Sequence, residues 1–123
     1  HIKENIVFRI IERIASGSFK YLYITVPNEI GIALLIKNIG SIFLGYQRGR
    51  GYSISETFYA FVDNLDKINR VYEDHIGFDW RWLAQTLRVN LKIIKTTTSP
   101  FEFIPKFISP SIGFICKSNS FNK

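Results

Sequence analysis

The sequence predicts an α+β fold in which a small, mostly antiparallel sheet is backed by helices. Apolar residues recur at helical spacing in four stretches, aromatic and β-branched runs lie between them, and Gly or Pro separates most of these stretches. The chain has 123 residues, of which 46% are hydrophobic, including 11 Phe, 6 Tyr and 2 Trp. This length and composition are typical of a single domain with a hydrophobic core and exclude a disordered chain.

The first third of the chain is predicted to form a helix, a strand and a second helix. Ile and Val recur at helical spacing over about residues 3–15, with charged residues between them. A strand should run from Phe19 to Val26 and stop at Pro27. Asn28 can cap the second helix, which Gly40 should end. We expect its inward face to consist of Ile32, Leu35, Ile36 and Ile39.

The middle of the chain is predicted to form a hairpin followed by a third helix. Runs at 42–47 and 52–58 alternate as strands do, and the two glycines between them are typical of a hairpin connection. A helix should follow over about residues 58–73. Its apolar face would comprise Phe58, Phe61, Val62, Leu65, Ile68 and Val71.

The last third is predicted to begin with a fourth helix, over about residues 80–95, capped by Asp79. A loop at 96–100 and three prolines follow, so no long helix fits beyond it. We therefore divide the chain into an α+β domain at 1–95 and a Pro- and Phe-rich apolar extension at 96–123. The extension should pack on the body of the protein or on a partner.

The charge of the chain is distributed unevenly. The net charge is +6, yet residues 1–80 carry nine basic and nine acidic side chains. The whole excess therefore lies in residues 81–123, where seven basic residues face one acid, Glu102. Such asymmetry indicates a polyanionic partner, and nucleic acid is the one we expect.

The predicted fourth helix is the first candidate for nucleic-acid binding. At about 100° per residue, four cations fall within an arc of roughly 60°. These are Arg81, Arg88, Lys92 and Lys95. Residues 80–95 contain no acid, so the ridge suits a phosphate backbone. An ordinary solvated basic face is the alternative.

The predicted hairpin connection is the second candidate. Arg48 and Arg50 alternate with glycines that let a ligand approach the backbone, and their guanidinium groups could bind phosphate or base edges. Tyr46 and Tyr52 flank them and could stack on unpaired bases, as proteins that read RNA do. A hairpin that needs glycine and exposes charge is the alternative.

Residues suited to metal binding or catalysis are few. Cys116 is the only cysteine, which excludes an intramolecular disulfide and a cysteine-based zinc site. His75 is the only internal histidine, and its acidic neighbours Glu73, Asp74 and Asp79 are expected to cap helices. We expect no metal, no cofactor and no catalytic residue. No run of about 18 uncharged apolar residues is present, so no membrane contact is expected.

Two short motifs carry a family resemblance. Gly17-Ser18-Phe19 after the first helix, and the run Leu34-Leu35-Ile36-Lys37-Asn38-Ile39-Gly40-Ser41-Ile42, resemble a half of a LAGLIDADG homing endonuclease or intron maturase. The resemblance covers residues 8–70 and implies the order helix, two strands, helix, two strands, helix. Here only one strand fits between the first two helices. Ser16 stands where the family's metal-binding acid would be, which implies a scaffold that cannot cut.

The combined prediction is a non-catalytic nucleic-acid-binding protein that binds structured RNA. The resemblance implies a structural subunit of an organellar ribosome or a splicing maturase, with other proteins as neighbours. The abundance of residues with AT-rich codons, such as twenty Ile against four Ala, favours a mitochondrial matrix or the cytoplasm of a low-GC host. Two alternatives stay open. One is a small basic toxin nuclease that would rely on His75, and the other is a protein-interaction subunit.

Overall fold

The computed structural model describes residues 3–45, 51–69 and 76–118, apart from the side chain of Ile42. The α+β prediction is confirmed, because these residues form four helices and a three-stranded antiparallel sheet. The elements are α1 (Glu4–Ala15), β1 (Leu22–Pro27), α2 (Gly31–Phe43), α3 (Ile54–Phe61), a single 3-10 turn (Leu65–Lys67), α4 (Trp80–Asn90), β2 (Lys92–Ser99) and β3 (Ser111–Lys117).

The last strand among the described residues, β3, is the central strand of the sheet. The order is β1-β3-β2, and β3 pairs antiparallel with both neighbours. Phe114 faces Ile24 of β1 on one side and Thr96 of β2 on the other. The predicted boundary between 95 and 96 lies within β2, and the predicted loop at 96–100 is wrong because Thr96–Ser99 belong to that strand. The predicted extension therefore supplies the middle of the sheet.

One face of the sheet is covered by α1 and α4 and forms the main core. Leu87 of α4, Ile11 of α1 and Phe114 of β3 are almost completely buried there. Leu22, Ile24 and Val26 of β1 and Ile93 of β2 pack against the same cluster. Each large apolar side chain buried in this way contributes about 1.5–3 kcal/mol to the free energy of unfolding.

A second, smaller core joins α2 and α3. Leu34 and Ala60 are fully buried in it, together with Ile68 and Ile76. The start of α2 is tied to the segment before β3 by the buried side chain of Asn28, whose Nδ2 donates to the carbonyl oxygens of Lys106 and Ser109. The Asn28 carboxamide also accepts from the Ile30 amide at 3.3 Å, so it turns the chain ahead of the helix.

The predicted hairpin is not formed by the described residues. Ile42 and Phe43 continue α2, which runs through Gly40, and residues 54–61 form α3. The physical reason is a capping box: Ser53 Oγ accepts from the Glu56 amide at 3.2 Å, and Glu56 Oε2 accepts from the Ser53 amide at 2.9 Å. The predicted connection at 46–50 lies outside the described residues.

The predicted inward faces of the two middle helices are confirmed only in part. Ile68 is buried in the second core and Leu65 packs against it, but several other predicted residues are exposed. On α2, Ala33 and Leu34 are buried, whereas Ile32, Ile36 and Ile39 are exposed. The third helix begins at Ile54 and ends at Phe61, and three of its predicted core residues are exposed: Phe58, Phe61 and Val62. The residues of α2 are apolar on nearly every side, so apolar spacing alone does not select the buried face.

The fourth helix begins as predicted and ends five residues early. Asp79 caps it, because its Oδ1 accepts from the Arg81 amide at 2.8 Å. The helix stops at Asn90, and Leu91 is already extended. The β-branched run that follows pairs with β3 instead, which is why helix spacing failed here. Lys92 and Lys95 therefore lie on a strand, and the predicted ridge of four cations along one helix does not exist.

The corner between α1 and β1 has the predicted form. The helix ends at Ala15, and the Gly17-Ser18-Phe19 turn leads into β1. The described residues after α2 contain α3 rather than the strands of the implied order. No helix in the described part of the chain is long and apolar enough to cross a membrane.

Candidate nucleic-acid interface

The face of the sheet opposite α1 and α4 carries exposed side chains from all three strands. Side chains alternate between the two faces of a strand, so the residues next to the core positions point to this second face. It carries Tyr23 and Thr25 of β1, Gly113, Ile115 and Lys117 of β3, and Lys92, Lys95, Thr97 and Ser99 of β2. We call this set the open face.

Two tyrosines make the β1 side of the open face aromatic. Tyr21 and Tyr23 are each 59% exposed, although tyrosine commonly buries much of its ring in a folded protein. Tyr21 directly precedes β1, next to the core residue Leu22, and we infer from the alternation of extended backbone that it lies on the same side as Tyr23. The Lys20 ammonium lies 5.7 Å from the centroid of the Tyr21 ring, within range of a cation–π contact.

The Tyr23 ring rests against the backbone of the central strand at Gly113. A Cβ atom at position 113 would lie 2.9 Å from Tyr23 Cε2 and 2.4 Å from Thr97 Oγ1, both far inside van der Waals contact. Only glycine therefore lets the tyrosine and the threonine approach from the two sides. The close fit fixes where the tyrosine ring sits on the sheet.

A shallow pocket of about 370 Å³ lies at the β2 side of the open face. It is lined by Tyr23, Thr97, Thr98, Ser99, Pro100, Glu102 and Ile115. Hydroxyl groups and one carboxylate thus surround an apolar floor. Next to Glu102, the rings of Phe101 and Phe103 stack at 5.4 Å, and both are exposed.

Three lysines bring positive charge to the open face. Lys92 of β2 and Lys117 of β3 lie opposite each other. Lys95 pairs with Ile115, and a register irregularity between Ile93 and Lys95 places it on the same face as Lys92. Lys95 Nζ lies 2.6 Å from Glu102 Oε2, with both side chains more than half exposed. An ion pair so exposed stabilises the fold by less than about 1 kcal/mol, so a phosphate can compete for this lysine.

Three of the eight residues predicted to bind nucleic acid lie outside the described residues: Tyr46, Arg48 and Arg50. Tyr52 is half-buried beside the second core, and its hydroxyl accepts from the Gly77 amide at 2.9 Å. Burial, and then the carboxylate of Glu29, raises the pKa of this tyrosine.

The four cations predicted to lie along α4 have different surroundings in the structure. The Arg81 guanidinium donates to both carboxylate oxygens of Asp63, at 2.6 and 2.7 Å, and to Asp79 at 2.9 Å. These hydrogen bonds, to Asp63 first and then to Asp79, raise its pKa. Arg88 is exposed on α4, and α4 covers the opposite face of the sheet. Of the predicted set, Lys92 and Lys95 are the two that share the open face.

The residues predicted to bind nucleic acid do not include Tyr21, Tyr23 or Lys117. The signal for the tyrosines was present, because they alternate with Leu22 and Ile24 in the strand that was predicted. The signal for Lys117 was not available locally. Its place depends on β3 being a strand at the centre of the sheet.

The predicted resemblance places a metal-binding acid at position 16, where this chain has a serine. Ser16 follows the last turn of α1, and its hydroxyl donates to the Arg13 carbonyl at 2.8 Å. Glu12, one turn earlier, is exposed. Across residues 3–45, 51–69 and 76–118, no three His, Cys, Asp or Glu side chains are grouped so as to hold a metal ion. His75, Glu73 and Asp74 fall outside these ranges.

The open face thus offers groups of three chemical kinds within one surface. Exposed tyrosine rings can stack on planar ligands, ammonium groups can bind phosphate, and the pocket's hydroxyl and carboxylate oxygens can form hydrogen bonds. The sheet beneath them is fixed by the main core. Comparison of the chain with protein-family models, with curated proteins and with solved structures gives no match.

Proposed function

We propose that the open face binds single-stranded nucleic acid, and RNA in particular, without cleaving it. The observation that carries the proposal is the combination of two exposed tyrosines with three lysines on the open face, while helices cover the other face of the sheet. Aromatic rings stack on bases of any sequence, with about 1–3 kcal/mol per base, while lysines neutralise phosphates.

The spacing of the two tyrosines suits successive unpaired bases. Residues two apart on a strand lie roughly 6.5–7 Å from each other on the same face. Tyr21 and Tyr23 can therefore each stack with a separate base. The pocket beyond Tyr23 has room for a further base, whose amino groups could donate to Glu102 and whose other edge could contact Thr97.

A single strand fits the open face better than a duplex. Duplex DNA is read by a helix or ribbon that enters a groove, whereas the exposed tyrosines here lie on a sheet. Single-stranded RNA exposes base faces that aromatic side chains can stack on. Of the described basic residues, three converge on this face, whereas Arg81 is held by two carboxylates.

The scaffold role extends the same proposal. The Gly17-Ser18-Phe19 corner resembles a LAGLIDADG half-domain, and Ser16 replaces the acid that such a half-domain needs for cleavage. We propose that the chain holds RNA within a mitochondrial ribonucleoprotein, such as a ribosome or a splicing complex. Binding of RNA at the open face does not require that the chain derives from a LAGLIDADG half-domain. RNA binding and the role in a ribonucleoprotein can therefore be tested separately.

The test is a fluorescence titration of labelled single-stranded RNA and of duplex DNA of the same sequence at two salt concentrations. We expect the single-stranded RNA to bind more tightly. Tyr23→Leu should weaken its binding about tenfold, because it removes one stacking partner. Lys92→Gln should weaken binding and reduce the slope of log K against log salt by about 0.7.

The matched control for the lysine is Arg88→Gln, which removes one exposed charge from the helix side. It should change binding less than twofold or so, since distant surface charges are screened. Preferred duplex binding, or an Arg88→Gln effect as large as that of Lys92→Gln, would contradict the proposal. The RNA should be recovered intact; cleavage that His75→Ala abolishes would favour the toxin-nuclease alternative instead.

A further inference from the structure

Helix α2 presents an uncovered apolar stripe on the side opposite its buried residues. Leu34 and Ala33 fix the buried side, and both have no exposed surface. On the other side lie Ile32, Ile36, Ile39 and Phe43, which are 42%, 48%, 54% and 86% exposed. Their spacing of four, three and four residues keeps them in one line along the helix, which we call the α2 stripe.

The α2 stripe is a continuous apolar surface. Its four side chains present on the order of 400 Å² of apolar area. The largest apolar patch on a typical monomer is about 300–600 Å², and the smallest specific interfaces bury about 600 Å² on each side. The stripe therefore supplies about two thirds of the area per copy that a small dimer interface buries.

We propose that the α2 stripe binds a second copy of this chain, helix against helix. Lys37 is the only charged residue of α2, and its ammonium binds the buried carboxylate of Glu29 rather than facing outward. The chain as a whole carries a net charge of +6, which disfavours contact between copies at most surfaces. The uncharged stripe is a place where two identical faces can meet without that repulsion.

The order of residues along the stripe suits a two-fold axis. In an antiparallel pair centred between Lys37 and Asn38, Ile32 of one copy lies level with Phe43 of the other. Ile36 likewise lies level with Ile39. The two members of each pair lean to opposite sides of the stripe midline, so they interleave rather than collide. A self-complementary face of this kind is what a symmetric dimer needs.

Gly40 gives a second, independent indication. It lies inside α2 without a positive φ, and a Cβ atom added there would meet nothing within 4 Å. Glycine inside a helix is destabilising relative to alanine. Because no atom lies near this position, packing among the described residues does not explain why it is glycine. In the antiparallel pair, Ile36 of the second copy lies against Gly40, where a missing side chain lets the two helices approach closely.

Sedimentation velocity of the full chain over a range of concentrations tests this proposal. We expect a concentration-dependent dimer that Ile36→Glu abolishes. The matched control is Val89→Glu on α4, which places the same charge at a position that is 76% exposed, and it should dimerise as the original chain does. Neither substitution removes a buried side chain, so both variants should remain folded.

Gly40→Ala separates dimerisation from stability. It should raise the dissociation constant of the dimer about tenfold, because the added methyl group occupies the space that Ile36 enters. Measured on the monomer at low concentration, the same substitution should raise Tm by a few degrees, because alanine favours the helix. A monomer at every concentration, or a dimer that survives Ile36→Glu, would overturn the proposal and leave the stripe to a different protein.

Discussion

The hydroxyl oxygens of Tyr23 and Thr97 lie 3.4 Å apart across Gly113, although 74 residues separate them in the sequence. Tyr23 comes from β1 and Thr97 from β2, and they meet over the central strand. This contact holds together the two outer strands on the face away from the main core. It also positions the ring that we propose stacks on a base.

The first prediction concerns Gly113. Gly113→Ala should lower the free energy of unfolding by about 1–3 kcal/mol, the usual effect of an added methyl group where space is already filled. Its Cβ would lie 2.4 Å from Thr97 Oγ1. Denaturant unfolding monitored by circular dichroism measures the change, and Tyr23 fluorescence should report a displaced ring.

A double variant tells overpacking from backbone effects. Thr97→Ala removes the atom nearest to the new methyl group, so Gly113→Ala should be less destabilising in that background. The two substitutions should then be non-additive by at least about 0.5 kcal/mol. Additive effects would show that the close approach at Gly113 does not limit the packing.

The second prediction concerns the only thiol. Cys116 has no exposed surface and lies on β3 in the main core, and burial raises the pKa of its thiol. The reactive form of a cysteine is the thiolate, so the folded protein should react with an aromatic disulfide reagent orders of magnitude more slowly than the unfolded chain.

Labelling of Cys116 should also follow unfolding of the whole sheet, because β3 is its central strand. The labelling rate should rise with denaturant as steeply as the global unfolding transition does. Fast labelling under native conditions would mean that β3 opens on its own. That result would contradict the packing of the main core.

Local signals were sufficient to predict several elements. The α1 helix, the glycine corner after it, the end of β1 at Pro27 and the Asp79 cap all depend on residues a few positions apart, whereas β1 begins at Leu22 rather than at Phe19. The Ser53–Glu56 capping box was equally local, but the residues around it also alternate as strand residues do. Where two patterns overlap on a short segment, side-chain capping decided the outcome, and periodicity did not.

The candidate site could not be predicted without knowing which strands pair with each other. Ser111–Lys117 lies beyond three prolines and was predicted as a packed tail. It pairs instead with β1, from the first third of the chain, and with β2, the strand before it. Pairing over such distances leaves no periodic signal in either strand alone. Lys92 and Lys95 were named because they stacked on a predicted helix. On the strand they share a face only because a register irregularity between Ile93 and Lys95 shifts the alternation by one residue.

The third prediction concerns the dependence of stability on pH. Burial raises the pKa of Tyr52 above the value of about 10 that an unfolded tyrosine has. As pH rises above 10, the unfolded chain loses this phenolic proton while the folded protein keeps it. Stability that is fully present below pH 10 should therefore fall by up to about 1.4 kcal/mol per pH unit above it.

Comparison with Tyr52→Phe isolates this group from the other tyrosines and the lysines, which titrate in the same range. Unfolding free energies measured between pH 8 and pH 11 should decline less steeply for the variant. The variant should be less stable at pH 8, because the Gly77 amide loses the hydroxyl that accepts its hydrogen bond. Parallel pH profiles for the two proteins would show that Tyr52 is accessible to water.

The fourth prediction concerns the junction that positions β3. Asn28 Nδ2 donates to the Lys106 carbonyl at 2.8 Å and to the Ser109 carbonyl at 3.1 Å, and its side chain is buried. Asn28→Ala leaves both carbonyl oxygens without this donor and should lower the free energy of unfolding by about 2–3 kcal/mol. The two lost hydrogen bonds lie in the segment immediately before β3, the central strand of the sheet.

Asn28→Asp separates the loss of donors from the loss of side-chain volume. The carboxylate keeps nearly the same shape and can still accept from the Ile30 amide. It offers no N–H donors, however, and turns negative charge toward two carbonyl oxygens, so it should be at least as destabilising as alanine at neutral pH. Urea unfolding of both variants at pH 7 measures this. If the aspartate variant were as stable as the original chain, the two carbonyl oxygens would not depend on the Asn28 side chain. The junction would then be held by its backbone hydrogen bonds, from the Asn28 amide to the Pro110 carbonyl and from the Ala33 amide to the Phe107 carbonyl.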